Sequence, residues 1–332
     1  MTINSLYLNN FTAFKDIAIN LSEGINIFIG KNGTGKTHLL KAIYSACEAS
    51  KDYNFGAFVL EDCFQGNKEN INLFHDKNNR KAHIRLKSNK YQNNHTISGT
   101  SKMSSKENRE YYITIPNEII LNSIYIPVKD MLTHSKGLLA MADKYKEFPF
   151  NKTLLNIIKR ASQWTLNKPP ELAQFILPIL ENMIEGQVVI ENDEFFIKKH
   201  NEQMINFSVE AEGLKKIGLL WRLIMNESIT KDSILIWDEP EANLNPDFLP
   251  KLVKCLIELS RQKVQIFVST HNYIFAKYFD VLRQKTDDIT YHSLYKIEDD
   301  IKCESQLHFD ELKHNDIMDA FEKLLDEVYN LE

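Results

Sequence analysis

The run Gly30-Lys31-Asn32-Gly33-Thr34-Gly35-Lys36-Thr37 fits G-x-x-x-x-G-K-[ST] without a mismatch, and it limits the possible folds more than any other part of the chain. Such a loop works only between a strand and a helix. Its glycines let backbone N–H groups wrap an anion, and the helix behind it presents a positive N-terminus. The lysine reaches the outer phosphates of a nucleotide, and the threonine hydroxyl ligates Mg²⁺. The flanks comply. Ile25 to Ile29 is rich in β-branched residues and runs straight into glycine, while Leu39, Leu40, Ile43, Ala46 and Cys47 recur at helical spacing. The expected ligands are ATP and Mg²⁺. Gly30, Lys31, Asn32, Gly33, Thr34, Gly35, Lys36 and Thr37 are the expected nucleotide contacts, Lys36 doubling as a catalytic cation and Thr37 as a metal ligand.

A second segment supplies what the loop lacks. Ile234-Leu235-Ile236-Trp237 is an apolar strand that ends in Asp238-Glu239-Pro240. The position suits Asp238 for holding Mg²⁺, directly or through water, and Glu239 for polarising an attacking water. Alone, this pattern better describes a buried strand with a solvated acidic end; the phosphate loop in the same chain tips the reading towards the metal and the water. Further on, Phe267-Val268-Ser269-Thr270-His271 puts a histidine at the carboxyl edge of another strand, the edge at which open α/β sheets bind ligands. His271 is therefore expected to position the water or the γ-phosphate.

The rest of the chain reads as α/β. Ser5 to Leu8 and Ile17 to Ile19 alternate as strands, and helices are expected at 154–164, 171–183, 214–225 and 249–259. Val188 to Ile190 and Phe195 to Ile197 flank Asn192-Asp193 as a hairpin. From about 51 to 207 the pattern weakens. The expected organisation is a nucleotide-binding core of 1–50 and 208–295, an insertion at 51–207 and an acidic helical tail at 296–332. Among the 332 residues, 40 Lys and Arg stand against 45 Asp and Glu, so any nucleic-acid contact must be local. Residues 77–109 hold nine basic residues against one acid, Glu107, which fits either a nucleic-acid contact or a solvated loop. Cys47, Cys63, Cys255 and Cys303 form no zinc pattern and suit a reducing compartment. No apolar run of roughly 18 residues and no signal-like start occurs, so a cytoplasmic location without membrane contact is expected.

These segments together resemble a known set. Gly30 to Thr37, Asp238-Glu239-Pro240, the turn Asn243-Leu244-Asn245-Pro246 and Ser269-Thr270-His271 look like the Walker A, Walker B, D-loop and switch histidine of ABC ATPases. Asn10-Phe11-Thr12-Ala13-Phe14 and Ile25 to Gly33 resemble the RecF, OLD and SMC branch. Glu212-Gly213-Leu214-Lys215-Lys216, with Trp237 to Pro246, resembles small stand-alone bacterial AAA-labelled ATPases of the OLD-like group. The resemblance implies an ABC ATPase head with a mostly parallel central sheet, an N-terminal antiparallel β portion and a helical and β insertion. The signature departs from the family: only Gly213 is kept, and its serine falls on Ala211. Ser208, or the helix start with Lys215 and Lys216, is the substitute.

In that family the signature of one subunit closes over the phosphate loop of another, which implies a homodimer or higher even oligomer and makes Gly213 a nucleotide contact. Phe14 is the expected stacking partner of the adenine, with core packing as the competing role. The resemblance also implies ATP hydrolysis that regulates or powers a separate nuclease or toxin effector, as in anti-phage defence. The alternatives are a DNA-repair ATPase of RecF type and an ATP-bound scaffold with little turnover.

Overall fold

The computed structural model describes residues 1–330 apart from 52–62, 65–74, 77–80, 91–92, 104–108, 115–119, 145–149 and 167. In chain order the elements are β1 (Thr2–Phe11), β2 (Phe14–Asn20), β3 (Ile25–Ile29), α1 (Lys36–Ala49), β4 (Lys81–Lys90), β5 (Asn93–Met103), β6 (Arg109–Thr114), β7 (Ser123–Ile126), α2 (Leu138–Lys144), α3 (Lys152–Ala161), α4 (Leu177–Ile184), β8 (Gly186–Glu191), β9 (Glu194–Lys199), β10 (Met204–Asn206), α5 (Glu212–Met225), β11 (Ile234–Asp238), α6 (Leu249–Arg261), β12 (Gln265–Thr270), α7 (Tyr273–Leu282), β13 (Ile289–Ile297), β14 (Asp300–Gln306) and α8 (Asp316–Tyr329).

Six strands form the central sheet in the order β14-β13-β3-β12-β11-β7. Every neighbouring pair from β13 to β7 is parallel, and only the edge strand β14 runs antiparallel to β13. Successive side chains of a strand point to opposite faces. Here the alternation sorts them into two cores. Ile25, Ile27, Ile29, Leu235, Trp237, Ile266 and Val268 pack with α5, α6 and α7. Phe28, Ile234, Ile236 and Phe267 pack on the other side with α1 and the antiparallel sheet. A sheet covered on both faces explains why β3 and β11 read as unbroken apolar or buried runs.

The antiparallel sheet has the order β2-β1-β4-β5-β6. β4, β5, β6 and β7, which lie between residues 51 and 207, therefore belong to the two sheets of the head. β4 is hydrogen-bonded to β1 along most of its length, and β7 is the edge strand beside β11. What remains outside both sheets is the part from α2 to β10, with its three-stranded sheet β10-β9-β8. The hairpin forms as expected: Asn192 and Asp193 both take positive φ, 49° and 63°, the twist that a two-residue connection requires.

One expected helix is broken. Glu171–Ala173 is a single 3-10 turn, and α4 starts only at Leu177 with Pro178 in its first turn. Proline has no N–H and its ring clashes with the preceding turn, so the helix restarts there. The basic stretch also differs from a loop in its described part. On β4, Lys81, Arg85 and Lys87 are exposed while Ala82, Ile84, Leu86 and Ser88 are buried. The basic side chains thus share one face of a strand. Lys77, Arg80 and Lys106 lie outside the described residues.

Candidate nucleotide and hydrolysis site

The loop between β3 and α1 is a cradle that only these glycines allow. Gly33 and Gly35 have φ of 79° and 85°, values that side chains avoid. A Cβ on Gly30 would meet the Leu294 carbonyl oxygen at 2.3 Å. Thr34 closes the loop by donating from its hydroxyl to the Lys31 carbonyl at 2.8 Å. Gly35 caps α1 without a side-chain hydrogen bond, which leaves the first-turn N–H groups for an anion. The Lys36 ammonium donates to the carbonyls of Gly30 at 2.6 Å and Lys31 at 3.0 Å, so it lies over the cradle. Burial lowers its pKa, and the charges of Glu239, Asp238 and Glu241 act in the opposite sense.

Asp238 joins the two motifs. The Thr37 hydroxyl donates to its Oδ2 at 2.8 Å, Tyr125 donates to the same oxygen at 3.2 Å, and the Ser269 hydroxyl donates to Oδ1. Three hydroxyl donors converge on a nearly buried carboxylate and fix its orientation. The pair Thr37 and Asp238 fits Mg²⁺, which takes one or two protein oxygens and draws its remaining ligands from phosphates and water. Among the described residues no group of three or more His, Cys, Asp or Glu could hold a metal by itself.

Glu239 and His271 come together across β11 and β12. His271 Nδ1 lies 3.0 Å from Glu239 Oε1. With the proton on Nδ1, the imidazole donates to the carboxylate and keeps Nε2 as an acceptor. Glu239 sits in the left-handed backbone region at φ 47°, a conformation that costs on the order of 1 kcal/mol or more for such a residue. Its N–H is held by the Ser269 carbonyl at 3.1 Å and the Ser269 hydroxyl at 3.2 Å. Beside it, Glu241 is buried with one oxygen accepting from the Thr270 hydroxyl, and burial raises its pKa to about 7.

Three of the expected nucleotide contacts, Phe14, Gly213 and Lys31, have neighbours within the chain. Phe14 is completely buried, and a Cβ on Gly35 would lie 2.8 Å from its Cζ. Its ring supports the phosphate loop from below, and no face is open to stack on adenine. Gly213 sits in the first turn of α5 against the turn after Glu239. A Cβ there would meet the Asn243 carbonyl at 2.5 Å and Leu244 Cδ2 at 2.9 Å. Within the chain this close approach accounts for the glycine. Lys31, expected at the nucleotide, makes an ion pair with Asp316 of α8 at 2.8 Å.

Sequence reasoning overlooked Tyr125, Ser269 and Glu241, and took Lys216 only as a substitute for the signature serine. Ser269 had a readable signal, because it stands at the polar end of an apolar strand, two residues before His271. Tyr125 had none, since the place of β7 beside β11 is a matter of tertiary order.

A parallel sheet with a phosphate loop after one strand and a Thr37, Asp238 and Glu239 group across from it defines an ABC-type ATPase fold of the RecF and SMC branch. Comparison with known proteins agrees. Residues 69–276 match the AAA_21 family, described as "AAA domain, putative AbiEii toxin, Type IV TA system", and the chain belongs to that family. It is similar to the DNA replication and repair protein RecF of Glaesserella parasuis, 28% identical over 120 residues that cover 36% of this chain and 32% of the relative. It is also similar to the DNA double-strand break repair Rad50 ATPase of Methanococcus maripaludis, 23% identical over 65% of this chain and 23% of that protein. The chain thus spans a third or less of the length of these curated relatives. Among solved structures, the SMC head domain from Thermotoga maritima covers 92% of this chain and 99% of its own at TM-score 0.54 and 16% identity. An Smc head domain with a coiled coil and joint from Pyrococcus yayanosii covers 97% and 99% at TM-score 0.60 and 10% identity. Among the described residues no helix is long and apolar enough to cross a membrane.

Proposed function

We propose that this chain is a Mg²⁺-dependent ATP hydrolase that works as an ATP-closed homodimer, or higher even oligomer, beside a DNA-directed effector. The observation that carries the reading is the juxtaposition of two contacts at neighbouring residues: Thr37 to Asp238 at 2.8 Å and His271 to Glu239 at 3.0 Å. The first makes a metal position next to the phosphate loop. The second orients a carboxylate that can accept a proton from water. Lys36 and the loop N–H groups hold the β and γ phosphates, and Thr37 and Asp238 hold Mg²⁺, which offsets charge on the phosphate oxygens. Glu239 draws the proton from the attacking water, and His271 fixes Glu239 and faces the transferred phosphoryl group.

The dimer rests on the resemblance: in ABC ATPases the signature of one subunit closes over the phosphate loop of another, and Gly213 in the first turn of α5 stands in the signature's place. The relatives named for DNA replication and double-strand break repair support a DNA-repair role, and the toxin-antitoxin wording of the family description supports a role in a toxin-antitoxin or defence system. Phosphate release from Mg-ATP, with Glu239→Gln as the control, tests the core of this reading. The variant should bind ATP, lose about 10²- to 10⁴-fold in turnover and sediment as a closed dimer. Turnover equal to wild type would overturn the assignment, and unchanged mass with ATP bound would overturn the dimer. Stimulation by duplex DNA favours repair, whereas stimulation by the product of a neighbouring gene favours the effector.

A further inference from the structure

The left-handed turn at Glu239 is held from both sides. On one side are the Ser269 contacts to its N–H. On the other, the Lys216 ammonium donates to the Glu239 carbonyl at 3.0 Å. Lys216 lies in the second turn of α5 and is 4% exposed. A lysine is seldom buried unless something needs its charge. Here three carboxylates, Asp238, Glu239 and Glu241, come from four consecutive positions of the chain and act on it. Glu241 is 6% exposed, and its second oxygen has no hydrogen-bond partner among the described residues. The other cation near this group, Lys36, is committed to the phosphate-loop carbonyls. Lys215, the neighbour of Lys216, points to a different set, Glu212 at 2.7 Å and Asp130 at 3.9 Å.

We propose that Lys216 is a positioning residue for the water-activating carboxylate: by pinning the Glu239 carbonyl it holds the left-handed turn that presents Glu239 to His271, and its charge offsets the crowded carboxylates of that turn. This rests on the ATP-hydrolysis reading above. Without the ammonium, the backbone of Glu239 is free to relax to ordinary φ, and the carboxylate leaves hydrogen-bond distance of His271. Phosphate binding by the loop should be untouched, because the hydrogen bond of the Lys216 ammonium goes to the Glu239 carbonyl and not to the loop. An arginine at 216 keeps charge and donors and should restore part of the function; methionine keeps length alone.

The test is steady-state kinetics with Mg-ATP on wild type, Lys216→Met, Lys216→Gln, Lys216→Arg and each of the first two combined with Glu239→Gln. Thermal unfolding identifies the folded variants, and two neutral substitutions are made so that one folded protein suffices. The expected result is a fall in kcat of about 30-fold or more for Met and Gln, KM within about threefold of wild type, and partial recovery in Arg. Added to Glu239→Gln, the same substitutions should lower the residual rate by less than about threefold, because Lys216 acts only through Glu239. Wild-type kcat in a folded neutral variant, a loss confined to KM, or full multiplication of the two losses in the double variant would each overturn the proposal. A wild type that releases no phosphate would instead sink the hydrolysis reading itself, which is a distinct outcome.

Discussion

Replacing Phe14 by alanine separates the two roles an aromatic residue next to a phosphate loop can have. The ring is wholly buried within the core that joins α1 to the antiparallel sheet, and it lies against Gly35. Deleting a buried phenylalanine ring costs about 3 to 5 kcal/mol, through lost transfer energy and the cavity left behind. Unfolding entropy of about 2.1 cal/mol/K per residue gives roughly 0.7 kcal/mol/K for a chain of 332 residues. Tm should therefore fall by about 4 to 7 °C. Affinity for ATP should fall too, since the loop loses its support. Inorganic tripolyphosphate, which has no base, should lose the same factor. Scanning calorimetry gives the first number, and titration calorimetry well below the lowered Tm gives the other two. A variant with unchanged Tm that weakens ATP but not tripolyphosphate would refute the packing argument and restore Phe14 as an adenine contact.

Lys36→Ala should abolish binding of ATP in equilibrium dialysis, because the ammonium that bridges the Gly30 and Lys31 carbonyls is the cation that the loop places at its centre. Tyr125→Phe removes one hydroxyl donor from Asp238, a loss of about 1 kcal/mol, and should raise the Mg²⁺ concentration needed for half-maximal turnover several-fold. Gly213→Ala forces a Cβ to within 2.5 Å of the Asn243 carbonyl and should destabilise the fold by about 1 to 3 kcal/mol in urea unfolding. Glu241 has its pKa raised from 4.5 to about 7 by burial, so the native state holds the proton more tightly than the unfolded chain. Stability on its account falls as pH rises from about 4.5 to 7 and levels off above. Glu241→Gln should flatten that slope in unfolding measured across the window, and an unchanged slope would show that Glu241 is not its source.

The phosphate loop, Asp238, Glu239 and His271 were legible in the chain because each sits at the end of a strand or start of a helix whose local pattern is strong. Spacing and residue type alone place them at one edge of a parallel sheet. The hairpin at Asn192-Asp193 was legible for the same reason, since positive φ is a local demand. Residues 81–114 were not. An exposed face of polar and basic side chains gives β4 a weak pattern, and its partner β1 lies some seventy residues earlier, so only the folded sheet assigns it to the head. For Phe14 the sequence left adenine stacking and core packing open, because it shows that an aromatic is near the loop and cannot show which side of the loop it lies on; the fold buries the ring. Tyr125, Glu241 and Lys216 owe their roles to strand order and helix packing, which bring β7 beside β11 and α5 against the Glu239 turn. Local propensity determines where a chain can bend and bind. The close approach of buried charges, where low dielectric makes each contact matter, is decided only by the tertiary fold.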